Sequence, residues 1–161
     1  MAIREKTAPG LAAIKIAMVA ETKAQKFYAQ AASKAVLPQA QEMFRQLADF
    51  ERGHYNRLKE LAASLTKKKG YLEYPGTDVN IRVKSEASGA VEPNKEDALD
   101  ILIMAIGAER DAEKHYNQLA RKTKDPAGKK MFERLAFEEN GHYRLLSDEF
   151  YLLNNKGRWG D

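Results

Sequence analysis

The run Phe44-Arg45-Gln46-Leu47-Ala48-Asp49-Phe50-Glu51-Arg52-Gly53-His54-Tyr55 decides the fold, because it returns 88 residues later. The second copy reads Phe132-Glu133-Arg134-Leu135-Ala136-Phe137-Glu138-Glu139-Asn140-Gly141-His142-Tyr143. Extended outward without a gap, residues 14–58 and 102–146 are identical at nineteen of forty-five positions. Chance would give about three, so the chain is an internal duplication. The shared set includes Glu21/Glu109, Tyr28/Tyr116, Pro38/Pro126, Met43/Met131 and Leu47/Leu135.

Each half reads as two helices. In the first half, Ile14, Met18, Glu21, Tyr28 and Ala32 recur at helical steps, and no Gly or Pro interrupts residues 11–37. Pro38 closes that helix or opens the next. Phe44, Leu47, Glu51, His54, Leu58, Leu61 and Leu65 then alternate by three and four along one seam. The second half repeats this with Leu102, Ile106, Glu109, Tyr116 and Ala120, a turn around Asp125-Pro126, and Phe132, Leu135, Glu139, His142, Leu146 and Leu153. The short turns imply antiparallel neighbours. The expected layout is a single all-α domain over 1–161: a helix pair at about 11–65, a crossover at about 66–97, a second pair at about 98–153 and a tail at 154–161.

The crossover carries Gly70, Pro75, Gly76, Gly89 and Pro93, with a β-like patch at Val79-Asn80-Ile81-Arg82-Val83. A connection of this length is expected to span the bundle, since about ten extended residues cover a helix of about 30 Å.

Six polar residues occupy positions that the apolar stripes would give to leucine: Glu21, Glu51, His54, Glu109, Glu139 and His142. In each Glu-x-x-His pair both side chains share one helix face. Four ionised carboxylates in one interior repel each other, and each carries a desolvation cost of several kcal/mol. Two divalent cations would cancel the charge, so a dinuclear metal site is expected. The constellation is recognisable as that of the carboxylate-bridged dinuclear bundles, one Glu from each of two helices and a Glu-x-x-His from each of the others. Oxygen and imidazole donors without thiolate suit iron, manganese or zinc. Glu51 and Glu139 are the expected bridging ligands, with His54 and His142 on one metal each and Glu21 and Glu109 terminal.

Tyr28 and Tyr116 follow their glutamates by seven residues, about 10 Å along the axis. Neither reaches its own Glu, but each can donate to a carboxylate on a neighbouring helix and fix its orientation. His115 lies off the ligand face, and its repeat partner is Phe27, so it reads as a surface or boundary residue. Gly53 and Gly141 are costly inside helices, which points to a close approach of another segment.

Composition narrows the chemistry further. Cysteine is absent, which excludes disulfides, thiolate nucleophiles and iron–sulfur clusters formed from this chain. The net charge is +4 and the pI about 9.2. Its only tight basic cluster, Lys67-Lys68-Lys69, lies at an expected helix end where cations favour the dipole, so no nucleic-acid partner is expected. No apolar run suggests a membrane span or a signal peptide, and a cytoplasmic location is expected.

The motifs resemble those of the ferritin-like diiron superfamily, and most of all the helical domain of the rubrerythrin group. The matching residues are Ala20-Glu21 with Phe27-Tyr28 and Phe44-x-x-Leu47-Ala48-x-x-Glu51-x-x-His54. In the second half they are Ala108-Glu109 with Tyr116 and Phe132-x-x-Leu135-Ala136-x-x-Glu139-x-x-His142. The resemblance implies a ferritin-like four-helix bundle whose reduced diiron centre reacts with peroxide or O₂ and is re-reduced by an electron donor. Typical members carry a four-cysteine rubredoxin domain; with no cysteine here, the donor is expected to be a separate protein. They also carry a further glutamate one turn after the third-helix ligand. Ala112 stands at that position, and Glu113 is the nearest substitute. Tyr28, Tyr116 and Glu113 are accordingly the candidate catalytic residues.

Three functions follow: a peroxide- or O₂-reducing enzyme of oxidative-stress defence, a bacterioferritin-like iron store, or a structural dinuclear site. Against the store, 58 residues separate Glu51 from Glu109, and Arg52 stands where a haem-ligating Met is expected. The long crossover and uncovered helix faces suggest a homodimer.

Overall fold

A computed structural model describes residues 2–77, 81 and 90–160, and of residues 2–9 the backbone alone. Four helices follow in order: α1 (Ala2–Lys34), α2 (Pro38–Thr66), α3 (Lys95–Lys122) and α4 (Pro126–Lys156). This is the all-α, ferritin-like bundle expected from the duplication. Helix α1 packs along α2 and α3 along α4, whereas α1 and α3 meet over a smaller contact.

Local chemistry sets the helix ends. Pro38 and Pro126 open α2 and α4, where a missing N–H costs nothing. Asp125 caps α4 by accepting from the Gly128 N–H at 3.0 Å, whereas its repeat partner Leu37 offers no side-chain cap. Gln41 compensates by donating to the Ala35 carbonyl at 2.8 Å, which ties down the end of α1. Gly157 ends α4 in the left-handed region, at φ 69°. Helix α1 starts nine residues before the expected boundary and includes Pro9 and Gly10. Proline's fixed φ is compatible with a helix, but an interior proline loses a hydrogen bond and crowds the carbonyl four residues back, a cost that α1 bears at Pro9.

The core is divided in two. One apolar cluster joins Tyr28, Met43, Phe44 and Leu47 to Leu102, Leu146, Leu153 and Trp159. The other joins Ile14, Leu58 and Leu61 to Tyr116, Met131, Phe132 and Leu135. All six polar stripe residues are buried along the same seams, so a polar layer is held between two apolar plugs. Burying a Leu- or Phe-sized side chain contributes about 1.5–3 kcal/mol, which lets the plugs carry the cost of that layer.

The crossover has its described ends at opposite ends of α4. Near its start, the Tyr71 ring packs edge-on against Phe132 and sits where a Cβ on Gly128 would come within 2.6 Å. Glycine at the head of α4 therefore lets the crossover lie flat. No such approach occurs at Gly53, where a Cβ would meet nothing within 4 Å, contrary to the expectation of a close segment there. At its far end, the crossover's Glu92 N–H donates to the Gly157 carbonyl at 2.8 Å. Apart from buried Ile81, the β-like patch lies outside the described residues. The chain's last residues are more than a loose tail: Trp159 is 3% exposed, donates from its indole to Glu92 at 2.7 Å and meets Phe44 edge-on. Lys67, Lys68 and Lys69 are exposed beyond the end of α2. Among the described residues, no helix is long and apolar enough to cross a membrane.

Candidate metal centre

Each helix contributes to the polar layer: Glu21 from α1, Glu51 and His54 from α2, Glu109 from α3, Glu139 and His142 from α4. All six are 3% exposed or less. Their ligand atoms form two groups in which every atom lies within 4.8 Å of the others. The first group is Glu21, Glu51, His54 and Glu139; the second is Glu51, Glu109, Glu139 and His142. Glu51 and Glu139 belong to both, the sharing expected of bridging ligands, and each group has its own histidine and its own terminal glutamate.

The side chains converge but satisfy one another only in part, His142 Nδ1 and Glu51 Oε1 being hydrogen-bonded. His54 Nδ1 lies 2.7 Å from Glu139 Oε1, yet neither atom has a hydrogen-bond partner, because the approach is badly angled. It is also 3.3 Å from Glu21 Oε1 and 3.4 Å from Glu51 Oε2. His142 Nδ1 sits 3.1 Å from Glu51 Oε1 and 3.4 Å from Glu109 Oε1. Further buried oxygens of Glu21, Glu51 and Glu109 are likewise unpartnered. Buried polar atoms are ordinarily paired. Orphaned carboxylate oxygens and imidazole nitrogens aimed at common points are the donor set that divalent iron, manganese or zinc takes. The residues fit a pair of such ions.

Protonation tells the same story. Burial, then the charge of Glu51, pushes the Glu21 carboxyl well above the ordinary range. Burial, then the charges of Glu109, Glu51 and Glu21, does the same to Glu139. Burial also acts upward on Glu51, but hydrogen bonds with Glu21, His142 and His54 outweigh it and hold that carboxyl low. Burial works to lower both imidazoles, but nearby carboxylates win. His54 rises well above its usual value under Glu139 and Glu21, and His142 is pushed up to about 10, chiefly by Glu109. Without cations, protons supply the counter-charge.

The two tyrosines donate to carboxylates across helices. Tyr28 of α1 donates to Glu109 Oε1 on α3 at 2.6 Å, and Tyr116 of α3 donates to Glu21 Oε1 on α1 at 2.5 Å. Burial, then the adjoining carboxylate charges, raises both phenols well above the ordinary value, so both remain donors. Glu113 is not brought into the group: half-buried, it faces Arg110 at 3.5 Å, and Arg110 in turn covers the Tyr143 ring. His115 is half-buried, with Nε2 3.3 Å from the Ala13 carbonyl.

The layer opens between two helices. Between α1 and α3, a cleft of about 530 Å³ is walled by Ile16, Ala20, Ala24, Phe27, Met104, Ala108 and Ala112. It reaches Glu21, Glu51, Glu109 and Glu139 and passes both tyrosines, while exposed Lys23 and Asp111 stand at its mouth. Neither ligand histidine lines it.

A further buried carboxylate beside the layer, Glu138, has no counterpart in the sequence reading. Fully buried on α4, it accepts from the Tyr74 hydroxyl at 2.6 Å and the Thr77 N–H at 2.7 Å, and it lies 3.6 Å from His54 Nε2. One signal was available: its repeat partner is Phe50, a polar-for-apolar break beside the best-kept motif of the duplication.

Fold and site together define a helical bundle built around four buried glutamates and two histidines able to hold metal. The chain belongs to the rubrerythrin family, whose model matches residues 3–74 and 100–156. A solved structure of a hypothetical protein from Pyrococcus furiosus is similar over 93% of each chain, with 26% identity and a TM-score of 0.73. No curated protein matches the sequence.

Proposed function

We propose that this protein is a non-haem diiron oxidoreductase that reduces hydrogen peroxide or O₂ with electrons from a separate donor protein. The observation that carries the reading is the cleft: its apolar walls lead to the ligand carboxylates, and neither ligand histidine lines it. A paired iron centre, when bound, supplies two electrons and Lewis acidity. The chain supplies the rest. Ala17, Ala24 and Phe27 keep the approach to the reacting space apolar, and the tyrosine donations hold Glu109 and Glu21 in place. Ala112 lines the cleft where the family resemblance puts a further glutamate, leaving room for a small substrate. Glu113, paired with Arg110, takes no part in this reading.

Reducing hydrogen peroxide to two waters takes two electrons and two protons, and the electrons are then replaced from outside this cysteine-free chain. The +4 net charge suits an acidic donor. A homodimer belongs to the same proposal, because Ile16, Val19, Ile103 and Met104 leave apolar surface exposed on α1 and α3. A monomeric mass by light scattering would remove that part, and a cage-sized mass would favour iron storage.

The test is stopped-flow mixing of the diferrous protein with hydrogen peroxide. Oxidation much faster than that of free ferrous ion supports the proposal. Oxidation no faster than free ion, or stoichiometric zinc with no redox response, overturns it.

A further inference from the structure

The duplication places Phe50 and Glu138 at equivalent positions, each immediately before a shared carboxylate, yet their chemistry is opposite. Glu138 stands 3.6 Å behind His54 Nε2, an ion-pair distance rather than a hydrogen bond. It is held from the crossover by Tyr74 and Thr77, and Arg134 donates to the Thr77 carbonyl at 3.1 Å. Behind the other histidine is Phe50, edge-on to the His142 ring with centroids 5.0 Å apart. Among the described residues neither Nε2 has a hydrogen-bond partner, but that of His54 faces a carboxylate and that of His142 has no ion pair. The two otherwise matched halves thus differ in what backs their imidazoles.

We infer that Glu138 is a positioning residue that makes the two metal positions unequal, the His54–Glu21 position binding a divalent cation more tightly than the His142–Glu109 position. This rests on the metal-centre reading alone and not on the peroxidase proposal. An imidazole that gives Nδ1 to a cation carries its proton on Nε2, where a fixed carboxylate orients the ring and increases its donor strength. His54 has that carboxylate, whereas His142 has a hydrocarbon edge. Loss of such a support typically costs about 10–100-fold in metal affinity. The support comes from the crossover, so the segment joining the two halves is also what distinguishes them.

The test is titration of the full-length metal-free protein with Co²⁺, following the visible d–d bands of each bound ion. Wild type is expected to fill in two resolved steps at least about tenfold apart, and H142A to retain the tighter one. E138Q should weaken the tighter step about tenfold or more and leave the other in place, and Y74F should weaken it less. F50E provides an independent arm that does not depend on E138Q folding, and it should tighten the weaker step. Two equal steps in wild type, or an E138Q effect spread over both, overturn the inference and leave the dinuclear reading standing. No Co²⁺ binding at all overturns both.

Discussion

The Tyr28 hydroxyl crosses from α1 to donate to Glu109 on α3 at 2.6 Å, and Tyr116 returns the contact to Glu21 on α1. The exchange makes each terminal glutamate depend on a helix other than its own. It joins α1 to α3, whose contact is smaller than those of α1 with α2 and α3 with α4, beside the cleft.

Tyr28→Phe should therefore weaken metal binding at the Glu109 position by about tenfold, with little change at the Glu21 position. Tyr116→Phe should do the reverse. Metal titration of the two variants checks this, and a matching loss at both positions from either variant would count against it.

Glu51 takes part in both ligand groups and Glu21 in one. Glu51→Ala should weaken both metal positions, whereas Glu21→Ala should leave one ion bound per chain. Metal content after dialysis separates the two outcomes.

The stability of the metal-free protein should fall as pH rises above neutrality. His142 goes from an ordinary value of 6.5 to about 10 in the fold, so its contribution is complete below 6.5 and is lost as pH rises through 10. Glu21 and Glu139, also raised, act in the same direction from 4.5 upward, whereas Glu51 and Glu138, held low, lose their contribution as pH falls. Metal replaces the protons, so the gap in Tm between loaded and metal-free protein should widen from pH 6.5 to 9. Calorimetry at several pH values measures it, and a constant gap would contradict the proton count.

Trp159 fills the apolar plug at one end of the bundle and holds Glu92 across the crossover. Trp159→Ala should cost about 3 kcal/mol or more, seen as a lower denaturant midpoint. A change under about 1 kcal/mol would mean that the chain end is only loosely docked.

Much of this site was legible because ligands that replace leucines at a 3–4 spacing stand out, and duplication showed each of them twice. The tyrosine pairing followed from the same register. Glu138 was hidden because it neighbours a ligand on α4, while its partners Tyr74 and Thr77 lie on a crossover without periodicity. Trp159 was read as tail because it lies beyond the last heptad-like leucine, and nothing local announces its partner Glu92, 67 residues away. The expected start of the first helix at about 11 fell short, because the backbone of α1 is helical through Pro9 and Gly10.

The most direct measurement is an anaerobic ferrous titration of the metal-free protein, followed by Mössbauer spectroscopy after oxidation. The account predicts saturation at two irons per chain and a spin-coupled, EPR-silent ferric pair. Saturation at one iron, or two irons that stay magnetically independent, would contradict a centre bridged by Glu51 and Glu139.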